Sequence, residues 1–315
     1  MTYLRPTPII LPGLLQGAAS AALRAWMEDG GARRFDFSAP PGEPALVAAD
    51  SISWRIFKNP IALFIGGVAA VILELAEPRV RTGVWEHTSF RDAPLKRLQR
   101  TGLAAMITVY GARSRAEAMI SGVRRLHEKV AGTTPAGDLY SADDPELLTW
   151  VQATASYGFI EAYHRFVRPL SAGERDRCLA EGTEVAALYG ASSAPRSQAE
   201  LEALFRATLD RLEPSSIVQE FLAIMRSAPI MPLVLKPVQH LLVRAAVEIT
   251  PPDMRGLLDL KGSGLRSWEQ ALVRQAGAFA DRVVLDSSPA VLACRRLGLP
   301  GDYLYRGGAT SGCEQ

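Results

Sequence analysis

The sequence predicts an all-α protein with about ten helices, and three observations support this fold class. Apolar residues recur three and four positions apart over long stretches, which is the spacing of one helix face. Signals that start helices precede several of these stretches. No segment alternates polar and apolar residues for long, and no Asn-Gly or Asp-Gly pair joins two β-branched runs, so hairpins are not expected. The uneven lengths of the helices do not suit a simple four-helix bundle.

Start and stop signals place the helices in order along the chain. In the first half we expect helices at about 13–28, at 51–78 before Pro78, at 94–110 after Asp92, and at 114–131, where Ser114 and Glu117 form a predicted capping box. In the second half we expect helices at 145–167, at 175–189 after the capping box of Ser171 and Glu174, and at 199–211, 216–225, 234–246, 268–282 and 289–296. The predicted organisation is an N-terminal helical extension (1–50), a single helical domain (51–300) and a loose tail (301–315).

The composition limits the classes of function. The chain has 315 residues, of which 48% are hydrophobic, so it can bury a sizeable core in one large domain or two modest ones. A formal net charge of +2 gives no overall attraction to nucleic acid or to an anionic membrane. The cysteines Cys178, Cys294 and Cys313 lie far apart and form no CxxC pair. This spacing disfavours zinc ribbons and thioredoxin-type redox chemistry, and it suits a reducing compartment.

The most apolar stretch of the chain, residues 61–76, is short for a membrane span. It has 16 residues and contains Glu74, so it fits a buried core helix better. The N-terminus lacks the basic start, the long apolar core and the cleavage site of a secretory signal. We therefore expect a cytoplasmic protein without a transmembrane segment, while some surface attachment to lipid is allowed.

His127 lies on a helix face that is otherwise apolar. Ala116, Ile120, Val123 and Val130 share its stripe at helical spacing. Burial of a polar ring costs free energy unless something bonds to it, and the partner could be a backbone carbonyl, a neighbouring side chain or an iron atom. For a lone histidine on such a face, a hydrogen-bonded core histidine is the more common case.

Other polar residues form candidate sites close to this helix. Arg97 and Thr101 share one stripe of the preceding helix, and Arg100 flanks them. Their donors could serve an anion or an oxygen species, although such basic runs are usually just exposed to solvent. Glu86 and His87 precede that helix and could build either a polar pocket wall or a hydrogen-bonded turn.

Glu161 and His164 form an E-x-x-H pair, which is half of the di-iron carboxylate pattern. The chain has no second copy of this pair, so a surface contact is the more common explanation. A non-haem di-iron oxidase remains an alternative. No Walker, Rossmann or G-x-S-x-G pattern is present in its required context.

Several short motifs together resemble one known family. They are GVWEHTSF at 83–90, RLQRT at 97–101, VRRLHEKVAG at 123–132 and YSADDPELLTWVQAT at 140–154, together with a Gly-Gly run and LELAEP within 66–78. The central part of the chain, about 64–190, is similar to the family that includes the bacterial latex-clearing rubber oxygenases and the prenyl-chain-cleaving oxygenase of mycophenolic acid biosynthesis.

The resemblance implies a globin-like helical core, with extra helices, that binds haem b. His127 would be the proximal iron ligand, and Arg97, Arg100 and Thr101 would match the distal R-x-x-K-T motif of the rubber oxygenases. Arg97 and Thr101 would then position bound oxygen, or Arg97 would hold a haem propionate. The lysine position of the motif is Arg100 here, and arginine is a very poor ligand, so a lysine-capped closed state is not expected.

Two further positions depart from the family pattern, since Glu77 and Gln152 stand where histidine is common. The resemblance also implies an acidic base upstream of Arg97, for which Glu77 and Glu86 are the candidates. His87, next to Glu86, is a further candidate for the polar wall of the pocket.

The implied function is a haem-dependent oxygenase that uses dioxygen, with an electron donor as a further candidate partner. Its substrate would be an apolar, unsaturated small molecule of isoprenoid or polyketide-like type, which it would hydroxylate or cleave at a C=C bond in a biosynthetic pathway. The expected pocket-lining residues are Phe64, Ile65, Met106, Trp150 and Phe159. The competing hypothesis is a cofactor-free helical binding or scaffold protein of the same fold, and the oligomeric state is left open.

Overall fold

The computed structural model describes residues 7–28 and 35–306, and within these ranges it confirms the all-α prediction. These residues form fifteen α-helices and four strands of two or three residues. The α-helices are α1 (Gly13–Glu28), α2 (Ile52–Phe57), α3 (Pro60–Glu74), α4 (Pro78–His87), α5 (Pro94–Tyr110), α6 (Arg113–His127), α7 (Pro145–Phe166), α8 (Ala172–Glu181), α9 (Thr183–Tyr189), α10 (Gln198–Thr208), α11 (Ser216–Ser227), α12 (Lys236–Ile249), α13 (Pro252–Leu257), α14 (Ser267–Ala280) and α15 (Pro289–Arg296).

The strands form two small pairs at the edges of the helical body. Strand β1 (Ile9–Ile10) runs parallel to β4 (Val283–Val284), and β2 (Ala131–Thr133) runs antiparallel to β3 (Leu139–Ser141). The described helices outnumber the ten or so expected, because the ten-residue α4 was not predicted and because α2, α9 and α13 contain only six or seven residues. Helices of this length make fewer than two turns, so they leave almost no periodic signal in a sequence.

Local side-chain contacts decide where the helices begin. The predicted capping box of Ser171 and Glu174 is present at the start of α8. The predicted box at Ser114 is wrong: α6 begins one residue earlier, and both the backbone N–H and the hydroxyl of Ser114 donate to the Glu43 carboxylate. The single helix expected at 51–78 is wrong: the span contains α2 and α3, α3 ends at Glu74, and Pro78 is the first residue of α4.

The main hydrophobic core is built around α3, which packs along α7 and is crossed by α12. Ile65, Ile72 and Leu73 on α3 are fully buried. Because α3 has neighbours on most of its surface, its sequence is apolar nearly all round. Within the described ranges no single helix is long and apolar enough to cross a membrane. The α3–α4 pair meets that test of length and composition only jointly, with a bend of 111°.

The helices α3 and α7 approach each other most closely at Gly66 and Gly158. A Cβ atom on Gly66 would lie 2.8 Å from the Gly158 carbonyl oxygen, and a Cβ atom on Gly158 would lie closer still to the Gly66 oxygen. Both obstacles are backbone atoms, which cannot move away as a flexible side chain would. Glycine at these positions therefore sets the distance between the two central helices.

We expect Gly158→Ala to lower the free energy of unfolding by at least about 3 kcal/mol, because the methyl group forces α3 and α7 apart in a packed core. Urea unfolding followed by circular dichroism measures the change. Gly173→Ala on α8 is the matched control, since its Cβ would meet nothing within 4 Å. Equal free energies of unfolding for the two variants would contradict this prediction, because they would show that α3 and α7 can move apart at Gly158 without loss of stability.

A second hydrophobic cluster joins the two ends of the described chain. Phe37 and Leu46 pack there with Trp54, Tyr110 and Cys294. The buried guanidinium of Arg296 donates to the carbonyl oxygens of Phe37 and Tyr110, each at 2.8 Å, and to that of Glu43. Tyr305 is also buried, so the predicted tail is folded as far as residue 306. Residues 307–315 lie outside the described residues, and the predicted boundaries at 50 and 300 stay predictions.

Candidate functional site

Three helix ends bring Glu74, Arg97 and His127 into one neighbourhood. Glu74 is the last residue of α3, Arg97 lies in the first turn of α5, and His127 is the last residue of α6. All three side chains are half-buried. The cation of Arg97 acts electrostatically on both of the others, so the three groups form one charge-coupled cluster.

His127 has the properties of a neutral, available imidazole. Its Nδ1 atom is buried and has no hydrogen-bond partner among the described residues. Burial is the largest cause that lowers the pKa of His127, the nearby Arg97 lowers it further, and Asp143 opposes both. The ring is therefore uncharged at neutral pH. A hydrogen-bonded core histidine would need a partner at Nδ1, and the described part of the chain supplies none.

Arg97 and Thr101 contact each other on the predicted stripe of α5. The Thr101 hydroxyl donates to the Arg97 carbonyl oxygen at 2.9 Å and accepts from Arg97 Nη1 at 2.5 Å. Burial lowers the pKa of Arg97, Glu74 raises it, and the neighbouring Arg100 lowers it. Thr101 and Arg100 are exposed, whereas Arg97 is half-buried. The guanidinium thus lies at the border between solvent and the cluster.

Glu74 is the member of the cluster that the sequence interpretation missed. Burial raises the pKa of its carboxyl group to about 7, although the cation of Arg97 pulls in the opposite direction. Such a group exchanges a proton at neutral pH, which is the property of a general acid or base. The only sign of Glu74 in the sequence is that it is a single carboxylate inside the apolar stretch 61–76. By itself this carboxylate argues only against a membrane span.

The contacts of Glu77, one of the two predicted base candidates, are structural. Its side chain is buried at the N-terminus of α4, where one carboxylate oxygen accepts from the Val80 N–H and the other from Arg79 Nε, each at 2.8 Å. Both oxygens are occupied by the cap and by an ion pair. Gln152, the other departure from the family pattern, makes a 3.5 Å contact with the Ser156 hydroxyl.

Glu86 and His87 interact with Tyr140 at the end of α4. His87 Nε2 lies 3.0 Å from the Tyr140 hydroxyl, and both His87 and Glu86 are exposed. Burial raises the pKa of Tyr140, and the charge of Glu86 raises it further. The ring of Tyr140 packs against Gly132, where a Cβ atom would lie 2.6 Å from the phenol oxygen. Of the two alternatives expected for Glu86 and His87, these contacts favour the hydrogen-bonded turn over the pocket wall. They also attach the β2–β3 hairpin to α4.

The expected pocket-lining residues divide between the two hydrophobic clusters. Ile65 and Trp150 belong to the main core, and Phe64 and Phe159 pack against it. Met106 instead packs against the second cluster. The indole Nε1 atom of Trp150 is buried without a hydrogen-bond partner among the described residues. Four of the five residues therefore lie on the α3 and α7 side, which also carries Glu74.

The E-x-x-H pair of α7 has ordinary structural partners. His164 Nδ1 accepts a hydrogen bond from the Leu170 N–H at 2.9 Å, and Glu161 lies 3.8 Å from Arg165. Among residues 7–28 and 35–306, no group of three or more His, Cys, Asp and Glu side chains could hold a metal ion. The described residues thus give the di-iron alternative no ligand set.

The residues of the cluster fit a haem held by one histidine. Such a site needs a neutral imidazole with a free ring nitrogen, and His127 offers one. A cation near the ligand suits the propionates or an oxygen-derived group, and Arg97 is that cation.

Comparison with protein families gives a match, which covers the central part of the chain. None of the curated proteins and none of the solved structures matches the chain significantly. Over residues 54–282 the chain matches the family described as ER-bound oxygenase mpaB/B'/Rubber oxygenase, catalytic domain. The matched region covers more than half of the chain and contains Glu74, Arg97 and His127. The chain therefore belongs to this family of oxygenase catalytic domains.

Proposed function

We propose that the protein is a haem b-dependent oxygenase that acts on an apolar, unsaturated small molecule of isoprenoid or polyketide-like type. The outcome would be hydroxylation or oxidative cleavage of a C=C bond. The family supports the oxygenase activity. The single observation that supports haem is the buried Nδ1 atom of His127, which has no partner among the described residues and lies near the cation of Arg97.

Each residue of the cluster has a definite role in this proposal. When bound, the haem iron would supply the binding and activation of dioxygen. His127 would hold the iron through a ring nitrogen. Arg97, held by Thr101, would donate hydrogen bonds to a propionate or steer dioxygen. Glu74, whose carboxyl pKa is about 7, would accept a proton from the substrate or return one to it. The apolar side chains of α3 and α7 would exclude water.

An absorption spectrum of the purified protein tests the proposal. We expect a Soret band and, after haem extraction, about one haem b per chain. A colourless protein that takes up no added haemin would favour the cofactor-free binding protein. Iron without haem would favour the di-iron oxidase and would overturn the proposal.

The two roles of Arg97 predict different results for Arg97→Ala. If Arg97 steers dioxygen, turnover should fall by about 10- to 100-fold with haem content unchanged, which is the value of a charged hydrogen bond. If it grips a propionate, haem should dissociate faster first. Transfer of haem to apomyoglobin and steady-state turnover separate the two. Arg206→Ala on α10, which removes an exposed arginine, is the control. Normal turnover and normal haem retention in Arg97→Ala would show that Arg97 has neither role and is an ordinary basic residue at the protein surface.

With Arg100 at the lysine position of the motif, we expect that this residue would not coordinate a bound haem iron, because a guanidinium is a very poor metal ligand. The native spectrum should therefore lack a low-spin, amine-ligated form, and cyanide or imidazole should bind without displacing a side chain. Arg100→Lys should create a low-spin species that grows with pH and should slow the uptake of these ligands. Stopped-flow absorption follows both. A native spectrum with nitrogen ligation on both sides would contradict the prediction and point to another side chain, with His87 the first to test.

A further inference from the structure

The outward face of α14 carries a stripe of exposed apolar side chains. Trp268 is 60% exposed, Leu272 is 48% exposed and Phe279 is 56% exposed. Their spacing places them on one side of the helix over about 16 Å. The outer face of a surface helix is normally polar, and an exposed apolar stripe of this size indicates a binding surface.

The ionic groups left exposed beside this stripe are positive. Glu269, the one acidic residue within α14, is buried and paired with Arg244. Asp281, directly after the helix, pairs with Lys58 at 2.7 Å. Arg274 on α14 is exposed, as is Arg165 at the adjacent end of α7. The face therefore combines apolar side chains with the cation of Arg274, which has no acidic partner among the described residues, while Arg165 lies within 4.0 Å of Glu161 and Glu248.

A groove of about 490 Å³ borders the stripe and is lined by hydrogen-bond donors. Its polar lining consists of His164, Arg165, Arg274 and Gln275, and no acidic residue lines it. On the helix wheel, Gln275 separates the groove side of α14 from the apolar stripe, so the two surfaces are contiguous.

The donors of the groove are free to bind an anion. His164 Nδ1 accepts from the Leu170 N–H, which leaves the ring proton on Nε2. Arg274 donates through Nε to the Arg165 carbonyl oxygen, and its two terminal nitrogens have no partner in the described part of the chain. Arg165 forms longer ion pairs with Glu161 at 3.8 Å and Glu248 at 4.0 Å, so its charge is partly neutralised and Arg274 is the main free cation of the groove.

We propose that this face of α14 docks on the surface of an anionic phospholipid bilayer. Trp268, Leu272 and Phe279 insert at the boundary of the headgroups and acyl chains, and the groove binds a lipid phosphate. Tryptophan and basic residues beside an apolar stripe are the features of a helix that lies in a membrane interface. A second copy of this face would offer Arg274 no anionic group, because no acidic residue lines the groove.

Sedimentation with lipid vesicles tests the proposal on the full chain. We expect binding to vesicles of phosphatidylcholine with 30% phosphatidylglycerol, taken as roughly the charge density of an anionic leaflet. Binding should be at least about tenfold weaker to pure phosphatidylcholine, and 0.5 M salt should abolish the difference, since surface charges are then screened. Failure to bind the anionic vesicles at low salt would overturn the proposal.

Variants separate the two parts of the surface. The combined Trp268→Ser, Leu272→Ser and Phe279→Ser changes should reduce binding at least about tenfold to both kinds of vesicle. Arg274→Gln should reduce binding about fivefold to anionic vesicles only, since one cation near such a surface contributes roughly this factor. Leu139→Ser and Arg206→Gln, at exposed positions on other elements, are the matched controls. Thermal unfolding checks that all variants are folded.

Three results would contradict the proposal. The controls could weaken vesicle binding as much as the α14 variants do. Analytical ultracentrifugation could show a dimer that the triple variant dissociates, which would make the face an interface between copies. Inorganic phosphate at millimolar concentration could release the protein from anionic vesicles at constant ionic strength, which would make the groove a site for the free anion.

Discussion

His127→Ala is expected to abolish haem binding while the helical circular dichroism stays close to that of the native protein. The ring is half-buried, and its Nδ1 atom has no partner among the described residues, so its loss leaves few contacts broken. We expect a stability cost on the order of 1–3 kcal/mol, which a folded domain tolerates. The Soret absorbance per chain should fall at least about tenfold, because the proposed iron ligand is gone.

A second histidine provides the control for this experiment. His240 on α12 is exposed, and its ring nitrogen lies 3.2 Å from the Arg226 carbonyl oxygen, so His240→Ala should keep full haem content. Added imidazole should restore part of the Soret band in His127→Ala by entering the vacated position. An unchanged spectrum in His127→Ala would remove this residue from the ligand role while leaving the family assignment untouched.

Glu74→Gln is expected to raise stability at alkaline pH and to lower turnover. The folded pKa of Glu74 is about 7, above its ordinary value of 4.5. The folded state therefore binds this proton more tightly, so the contribution to stability is complete below pH 4.5 and is lost as the pH rises through about 7. Removal of the charge should stabilise the protein at pH 8 by up to about 3 kcal/mol, given roughly 1.4 kcal/mol per pKa unit, because the attraction to Arg97 is already included in the folded pKa.

The same substitution removes the proposed proton acceptor. Native turnover should rise with pH through about 7, whereas Glu74→Gln should be slower by at least about 100-fold and should lose this rise. Urea unfolding at pH 5 and pH 8 and the pH dependence of kcat measure the two effects. Glu202→Gln, at an exposed position on α10, is the control. If native and Glu74→Gln stability curves run parallel between pH 5 and 8, the carboxyl group does not titrate there.

Local patterns predicted much of the fold because they act over one or two turns. The capping box at Ser171 depends on residues three positions apart, and the stripe of His127 depends on a single helix. The capping box at Ser114 failed because Glu43, distant in sequence, binds both of its donors. A distant carboxylate that binds the donors of a predicted cap leaves no trace in the neighbouring sequence, so it cannot be predicted from local patterns.

The candidate site shows the same limit. Arg97 and His127 were placed together by family resemblance, since spacing alone favoured a solvated basic face and a bonded core histidine. Glu74 was missed because a carboxylate in an apolar stretch does not reveal whether it faces solvent, a partner or a cation. Its role depends on α5 packing near the end of α3, which is a tertiary property. The raised pKa follows from burial of the carboxyl group in the folded chain, and Arg97 of α5 partly offsets it.

The buried contacts of Arg296 also determine when this protein can finish folding. Its guanidinium binds carbonyl oxygens of residues that are synthesised much earlier, including Phe37 and Tyr110. During translation these carbonyl groups stay hydrated until α15 has left the ribosome and Arg296 can bind them. Trp54 and the other apolar residues of the second cluster remain uncovered over the same interval. The second cluster is therefore complete only after α15 has been synthesised, and deletion of α15 would leave its apolar side chains exposed and prone to aggregation.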